Sequence, residues 1–568
     1  MTNKKYLITS ALPAPNGELH IGHLIGCFLP SDIYARFCRG RGRDVLFICG
    51  SDDHGTPPLL GAAKEGISAL EYSTRLFEKQ KEYVKNFNLS FDFYGRTHTE
   101  LHKELVQNLF ARLDEQGLIE ERVSKQLFSI DDNMFLADRF IKGTCPKCGY
   151  EAADGDQCGK CDALLDPTDL ISPFSAISGS HNIELRETKH LYFRASAMEG
   201  KLRTWIDSRQ GWPKTAMAIA NKWLSEGLHD TPITRDLSWG IPVNKPGYED
   251  KVFYVWFDAP WGYVSISQAA RPNDWETWWK AGANCHYAQF MGKDNVAFHA
   301  VFFPEQQLAM NDNWKTVDVL KAVNFLNFQG AKISKSTGNG IFLDDAIKDA
   351  PSDCWRYTLM ASAPETDDTD FTIQRFADIV NKDLNGMLGN FVSRATKLCE
   401  KNFGNNVPAR LETRDSRLGE QISSLESRVS NLVIELTAAM EACEFRKSVA
   451  ALRELWAAGN EFMTLTEPWT LVKNENIKAA GTVLNECFQL IDFYARVSAP
   501  FIPDAAEKML CIFSERQETR DKRQEALSWP EKYERRVADG TVFVVPENLF
   551  ERIDADKVAE MTAKYVKK

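Results

Sequence analysis

The first fifty residues constrain the fold more than any other part of the chain. Residues 5–12 (KYLITSAL) are a short apolar run closed by a Pro-Ala-Pro-Asn-Gly turn. Ile25, Leu29, Ile33 and Phe37 then recur every four residues, the spacing of one helix face, and 44–49 (DVLFIC) is a second apolar run. A strand, a helix and a second strand in that order form a βαβ unit, whose crossover helix makes the two strands parallel. The expectation is an α/β domain built on a buried parallel sheet. Pro30 lies inside the helical stretch, lacks an amide hydrogen and should kink the helix.

The pattern changes near residue 116, where turn residues and a cysteine cluster interrupt the α/β rhythm up to about 235. Alternation returns with 251–263 (KVFYVWFDAPWGY) and 285–294 (CHYAQFMGKD). Beyond 371 strand signals fade, and 375–400, 416–442, 446–464 and 476–499 carry helical periodicity, which predicts a helix bundle. The reading divides the chain into 1–115, the first half of the α/β domain; 116–235, an insertion; 236–325, the second half; 326–370, a linker; 371–545, a helical domain; and 546–568, a helical tail.

The chain of 568 residues is long enough for several domains, and its 43% apolar and 26% charged residues are ordinary for a globular protein. A net charge of −11 excludes a basic footprint over the whole surface, so any nucleic-acid contact must rest on local patches. No run of 18 apolar residues is present, and the opening residues read as a strand rather than an export signal. Nine of the 13 cysteines are scattered singly, as expected of reduced thiols in a cytoplasmic protein.

Three motifs carry chemistry. His20-Ile21-Gly22-His23 opens the first helix, where backbone N–H groups and the helix dipole favour phosphate and where glycine lets a ligand approach. The alternative reading is two ordinary histidines at a helix start. Lys332-Ile333-Ser334-Lys335-Ser336, followed by Thr337-Gly338-Asn339-Gly340, describes a cationic loop able to clamp charge on a leaving pyrophosphate. Read alone, it is a solvated surface loop. Cys145, Cys148, Cys158 and Cys161 form CxxC, nine residues, CxxC, the spacing of a four-thiolate Zn²⁺ knuckle, against the alternative of two redox-active pairs. A site closed by four thiolates leaves no position open for substrate, so the zinc, one per chain, should be structural.

The HIGH and KISKS motifs together resemble the paired signatures of class I aminoacyl-tRNA synthetases. SALPAPNGELHIGH, FICGSDDHGTP, KGTCPKCGYEAADGDQCGKC, TRDLSWGIPV, FYVWFDAPWGY, GKDNVAFH, GAKISKSTGN, NKDLNGMLGNFVSR, EPW and FERID extend that resemblance over nearly the whole chain, to the methionyl-tRNA synthetase family. The resemblance implies a Rossmann-type catalytic domain split by a connective insertion that bears the zinc knuckle, then an α-helical anticodon-binding bundle. It implies L-methionine, Mg²⁺-bound ATP and tRNA(Met) as ligands, and adenylate chemistry with no covalent enzyme intermediate. His20, Gly22, His23, Gly292, Asp294 and Lys335 would meet ATP, with Lys332, Lys335 and Arg235 as transition-state cations beside the two histidines. Asp52 and the Leu12 carbonyl would hold the amino-acid ammonium, and Trp256, Ala259, Pro260, Tyr263 and His299 would wall the side chain, the last two offering hydrogen bonds to the thioether. Asn390, Arg394, Pro468 and Trp469 would read the anticodon, by stacking and base-edge hydrogen bonds.

Two positions depart from the family pattern. Ala14 stands where a tyrosine is usual, which should open the amino-acid pocket unless Trp261 compensates, and Gly386 stands where some members have asparagine. An insertion of about 120 residues leaves little room for a large editing domain. The rival readings are a synthetase paralogue with another amino acid or acceptor, and a catalytically silent RNA-binding protein. No further dimerisation module follows FERID, so a monomer is expected.

Overall fold

A computed structural model of the chain describes residues 4–566 except 137–139, 156–157, 162, 164, 281, 283, 335–337, 411–415 and 514–526. Its centre is a five-stranded sheet of β1 (Lys5–Ser10), β2 (Asp44–Ser51), β3 (Phe93–Arg96), β4 (Cys285–Gly292) and β5 (Val319–Val323). The strands lie in the order β5-β4-β1-β2-β3 and every pairing is parallel. The order reverses between β1 and β4, and at such a switch point the loops beyond the carboxyl ends of the strands diverge and leave a crevice for ligand. The loops there are Ala11 onward, leading to His20–His23, and Lys293–Asn295.

Pro30 is accommodated without a broken helix. Leu24–Phe28 is a π-helical turn, and Leu29–Gly40 resumes as α-helix with the proline in its first turn, where no amide hydrogen is needed. Ser31 Oγ donates to the carbonyls of Cys27 (2.8 Å) and Phe28 (2.9 Å), replacing hydrogen bonds disturbed there.

Between the two halves of the sheet, strands Ile119–Ser129 and Ile183–Phe193 form a long antiparallel ribbon, and Ile141–Thr144, Ala153–Asp154 and Ile171–Ser175 form a small sheet around the cysteines. Helices Glu199–Asp207 and Lys214–Glu226 return from this insertion and pack on Phe303–Ala309 and β5. The segment after β5 builds a three-stranded sheet of Leu326–Phe328, Ala331–Lys332 and Thr369–Phe371.

The last third is helical. Ser416–Glu441 buries Leu418, Ile422, Leu425, Val429, Val433 and Leu436, an apolar stripe at three- and four-residue steps. Ile477–Ser498 is buried on all sides from Ala479 onward and is the central helix of the bundle. The tail is helical only over Ala555–Tyr565, capped by Asp554, which accepts from the Lys557 amide at 2.8 Å. Residues 546–553 before that helix form neither helix nor strand, and Asn381 bonds both the amide (2.9 Å) and the carbonyl (2.7 Å) of Ile553. Among the described residues no helix is long and apolar enough to cross a membrane.

A buried arginine joins the parts. Arg356, fully buried, donates to Asp32 Oδ2 (2.6 Å) and to the carbonyls of Phe87, Asn88, Pro500 and Phe501. Asp32, equally buried, also accepts from Arg36, the Ser90 amide and the Ser90 hydroxyl. Every hydrogen-bonding group of this ion pair that faces the interior is thus matched to helix, loop and bundle at once, the condition under which a buried pair is tolerated.

Candidate functional site

The HIGH segment is a self-capped helix start. His20 is extended, its Nδ1 accepts from the Gly22 amide, and its own amide donates to His23 Nδ1, each at 3.1 Å. The two rings lie 4.0 Å apart. A Cβ on Gly22 would come within 2.8 Å of the His20 ring, so only glycine keeps this cap.

The KISKS strand is bound to the same place. The Ile21 amide donates to the Ile341 carbonyl (3.0 Å) and the Leu343 amide to the Leu19 carbonyl (2.9 Å), while Ile333 lies beside Gly22. Ser334 pairs with Asn339, and the Asn339 amide group ties back to the Lys332 carbonyl at 3.0 Å, which forms a tight loop base. Lys335, Ser336 and Thr337 lie outside the described residues. Beside the loop, Asp294 folds back so closely that a Cβ on Gly292 would be 2.6 Å from its Oδ1. Burial holds the Asp294 carboxyl above the ordinary range, partly offset by the charges of Lys332 and Lys293. Two motifs some 300 residues apart therefore share one crevice at the switch point.

Next to it is a cavity of about 100 Å³ lined by Leu12, Asp52, Val255, Trp256, Ala259, Pro260, Tyr263, Asn295, Phe298 and His299. All seven residues expected to meet the amino acid are here. Val255, Asn295 and Phe298 were missed, although each lies inside a motif that was read. Asp52 Oδ1 is shut off from solvent and has no hydrogen-bond partner. Burial, then the charges of Asp258 and Asp53, push its carboxyl well above the ordinary range. A buried carboxylate oxygen left without a partner in an apolar cavity is completed by a cation.

The opposite wall differs from expectation. His299 Nδ1 lies 2.8 Å from the Asn295 carbonyl, which can only accept, so Nδ1 carries the proton and Nε2 accepts. Burial pushes the imidazole down to about 4, so it is neutral. The Tyr263 hydroxyl then donates to His299 Nε2 (2.8 Å) and accepts from Gln289 (3.2 Å). Both groups are spent on each other and neither is poised for a thioether. Among the walls, Trp256 and Phe298 meet nearly edge to face at 4.3 Å. Trp261 does not compensate for Ala14 either. It is fully buried, donates to Gln306 (2.8 Å) and packs on Phe303 and Trp314, away from the cavity.

Arg235 stands behind the cavity. Its guanidinium lies 3.6 Å from the Tyr254 ring, and Tyr254 is parallel to Trp256 at 5.8 Å. It lines a separate cleft of the insertion with Lys125, Tyr192 and Pro232, and the structure does not bring it into the cavity with Asp52.

The cysteine knuckle is assembled. Cys145 and Cys161 sulfurs are 3.9 Å apart, those of Cys148 and Cys158 3.6 Å, and all four lie within 4.8 Å of one another. A tetrahedron with metal–sulfur bonds of about 2.3 Å has edges of about 3.8 Å. Disulfides, at about 2.05 Å, are not formed. Burial pushes the Cys158 thiol up, but the Cys161 and Lys160 amides and neighbouring thiols bring it down to about 7, suited to a thiolate ligand. The donor set fits a closed metal site.

Comparison with known proteins follows the same lines. The family model described as class I tRNA synthetases (M) matches residues 6–396, and that of the anticodon binding domain of methionyl tRNA ligase matches 413–568. Methionine–tRNA ligases of Cereibacter sphaeroides and Caulobacter vibrioides are 46% and 45% identical, each over 99% of both chains. The chain belongs to the methionyl-tRNA ligase family of class I tRNA synthetases. Its fold is that of the Mycobacterium tuberculosis methionyl-tRNA synthetase in complex with methionyl-adenylate, with a TM-score of 0.78 at 24% identity over 97% of this chain and 100% of that one.

In the helical domain two of the residues expected to read the anticodon form a surface pair. Arg394 lies 5.0 Å from the Trp469 ring, and Trp469 is 38% exposed rather than anchored in the core. Pro468 starts the short helix Pro468–Lys473 immediately before it, after Glu467 turns the chain at φ +40°. Asn390, exposed, precedes Arg394 by one turn on Asn390–Phe403. Gly386 has a local cause. It lies in a π-helical stretch, and a Cβ there would come within 2.9 Å of the Asn381 carbonyl.

Proposed function

We propose that the chain ligates L-methionine to tRNA(Met) in two steps. The methionine carboxylate attacks the α-phosphate of Mg²⁺-bound ATP and pyrophosphate leaves. The 3′-terminal ribose hydroxyl of the tRNA then attacks the adenylate carbonyl and AMP leaves. The observation that carries the reading is the partnerless Oδ1 of Asp52 in a thioether-sized apolar cavity, opening beside the HIGH and KISKS segments.

In this reading Asp52 and the Leu12 carbonyl hold the ammonium. Trp256, Ala259, Pro260 and Phe298 enclose the side chain, and the Tyr263–His299 pair closes its end. His20, Gly22 and His23 receive the phosphates, and Gly292 and Asp294 meet the ribose. Lys332 and Lys335 neutralise charge that develops on the α-phosphate and the leaving group, so they act in the transition state more than in substrate binding. Arg235 acts from behind Trp256 as a more distant cation. Cys145, Cys148, Cys158 and Cys161 would hold one Zn²⁺, which fastens the insertion and takes no part in the reaction. Asn390, Arg394, Pro468 and Trp469 read the anticodon. The protein works as a cytoplasmic monomer. Methionine-dependent exchange of pyrophosphate into ATP, measured against a panel of other amino acids, tests the reading. Preference for another amino acid, which Ala14 leaves room for, would replace it with that of a paralogue.

A further inference from the structure

Residues 52–55 form the loop between β2 and helix Thr56–Glu65. The indole N–H of Trp239 donates to the Asp53 carbonyl in this loop at 2.6 Å. That carbonyl and the His54 amide belong to one peptide unit, which is planar, so holding the oxygen also fixes the direction of the N–H. The His54 amide in turn faces the Asp52 carboxylate. Burial, then the charges of Asp258 and Asp53, raise that carboxyl, and the His54 amide acts against them in favour of the charged form. Asp52 Oδ1 is left without a protein partner among the described residues, on the side of the cavity.

The remainder of the loop is fastened within the catalytic domain. The Asp52 amide donates to the Pro13 carbonyl (3.1 Å) and the Asp53 amide to Thr97 Oγ1 (2.9 Å). The Asp53 carboxylate accepts from Ser51, Ser73, Arg96 and the His98 amide. His54 Nδ1 lies 2.8 Å from Asp258 Oδ2, with His102 Nε2 3.5 Å from the same oxygen. Trp239 comes instead from the segment that leaves the insertion. Its ring stacks on His98 with centroids 4.4 Å apart. The segment is fixed on both sides of the tryptophan. Asp236 contacts His190 (3.0 Å) and Lys251, and the Phe253 amide donates to the Ile241 carbonyl (2.8 Å). Leu237 belongs to the small core around the cysteine knuckle, against which Leu59 and Leu60 of helix Thr56–Glu65 also pack. Trp239 does not line the amino-acid cavity, so its effect on substrate runs through the Asp53–His54 peptide.

We infer that Trp239 is a positioning residue for the amino-acid site: its indole N–H fixes the Asp53–His54 peptide and thereby aims the Asp52 carboxylate at the substrate ammonium. The inference rests on the assignment of Asp52 to that ammonium. Without the N–H the peptide is free to turn, and only the fraction of molecules that keeps the aimed state binds methionine at full strength. Bound ammonium selects the aimed state, so turnover at saturating methionine is kept.

The test is methionine-dependent pyrophosphate exchange. Trp239→Phe keeps a ring against His98 and removes the donor. Benzothienylalanine at position 239, in which sulfur replaces the indole N–H, removes the donor while keeping the size of tryptophan. Each should raise the methionine KM about tenfold, the scale of a buried carbonyl left without its donor. The kcat and the ATP KM should stay within about twofold of wild type, because only the amino-acid site is affected. Two competitive inhibitors locate the loss. Methioninol keeps the ammonium, and its inhibition should weaken by the same factor; methylthiobutanoate lacks the ammonium, and its inhibition should not change. In an Asp52→Asn background Trp239→Phe should cost nothing further, since the two act in series. A merely structural role would weaken both inhibitors alike, lower kcat or raise the ATP KM as much as the methionine KM, or add its loss to that of Asp52→Asn; any of these overturns the inference, as does a wild-type methionine KM in the benzothienylalanine variant. Trp239 variants without effect while Asp52→Asn is severe would remove this inference alone. A methionine KM that Asp52→Asn leaves unchanged would remove the ammonium assignment, and with it both the proposed function of the cavity and this inference.

Discussion

Asp52→Asn separates binding from folding. The substitution keeps shape and removes charge at an atom with no protein partner. In the bound state the loss is a buried charge-assisted contact to ammonium, about 2–5 kcal/mol. At about 1.4 kcal/mol per tenfold this is roughly a 30- to 4,000-fold fall in kcat/KM for methionine. In the empty protein the same change should be stabilising. Asp52 is pushed well above the ordinary carboxylate range by burial and by Asp258 and Asp53. Its unfolded state therefore ionises first, and the group opposes folding at neutral pH. The variant should show a higher thermal midpoint without methionine, a smaller upward shift when methionine is added, and an ATP KM close to that of the wild type. Calorimetry and steady-state pyrophosphate exchange measure both halves. A methionine KM within threefold of wild type, or a lowered midpoint in the empty protein, would refute the reasoning.

Three further outcomes are expected. Cys145→Ser should lower bound zinc from one per chain and loosen the insertion, as measured by metal analysis and limited proteolysis; full zinc retention would remove the four-thiolate site. Trp469→Ala should cut aminoacylation of tRNA about 5- to 150-fold, the value of one stacked base, while sparing pyrophosphate exchange; an equal fall in both assays would make it a folding residue. Asp32→Ala should destabilise the fold by about 3–5 kcal/mol, because it strands the fully buried Arg356. The Asp32 carboxyl is held below the ordinary range by Arg36, Arg356 and Ser90 against the cost of burial, so its contribution is present above the unfolded pKa of about 3.9 and is lost as pH falls through the folded value. The variant should therefore lose the part of the wild-type acid-unfolding slope that this group supplies.

What could be read beforehand followed from periodicity and spacing. The βαβ opening, the helical last third and the four-cysteine knuckle are local patterns, and the structure carries each of them. The cavity wall was marked by the family resemblance of the segments that hold Asp52, Trp256 and His299, and not by the residues taken singly. What stayed hidden is relational. Nothing local says that Tyr263 and His299 hydrogen-bond to each other, that Trp261 turns toward Gln306, or that Pro30 follows a π-turn. His54, His102 and Asp258 are scattered over some 200 positions, and only the packing of three segments unites them. Gly386 shows the same limit. It read only as a departure from the asparagine of some members, whereas in the π-helical backbone a Cβ there would come within 2.9 Å of the Asn381 carbonyl.

The most direct test of the account is exchange of labelled pyrophosphate into ATP by the purified chain, one amino acid at a time. The account predicts exchange with methionine that exceeds every other natural amino acid, and, in a separate assay with labelled methionine, transfer of that label to tRNA(Met). Exchange that is strongest with a different amino acid, or none at all from folded protein, would contradict it.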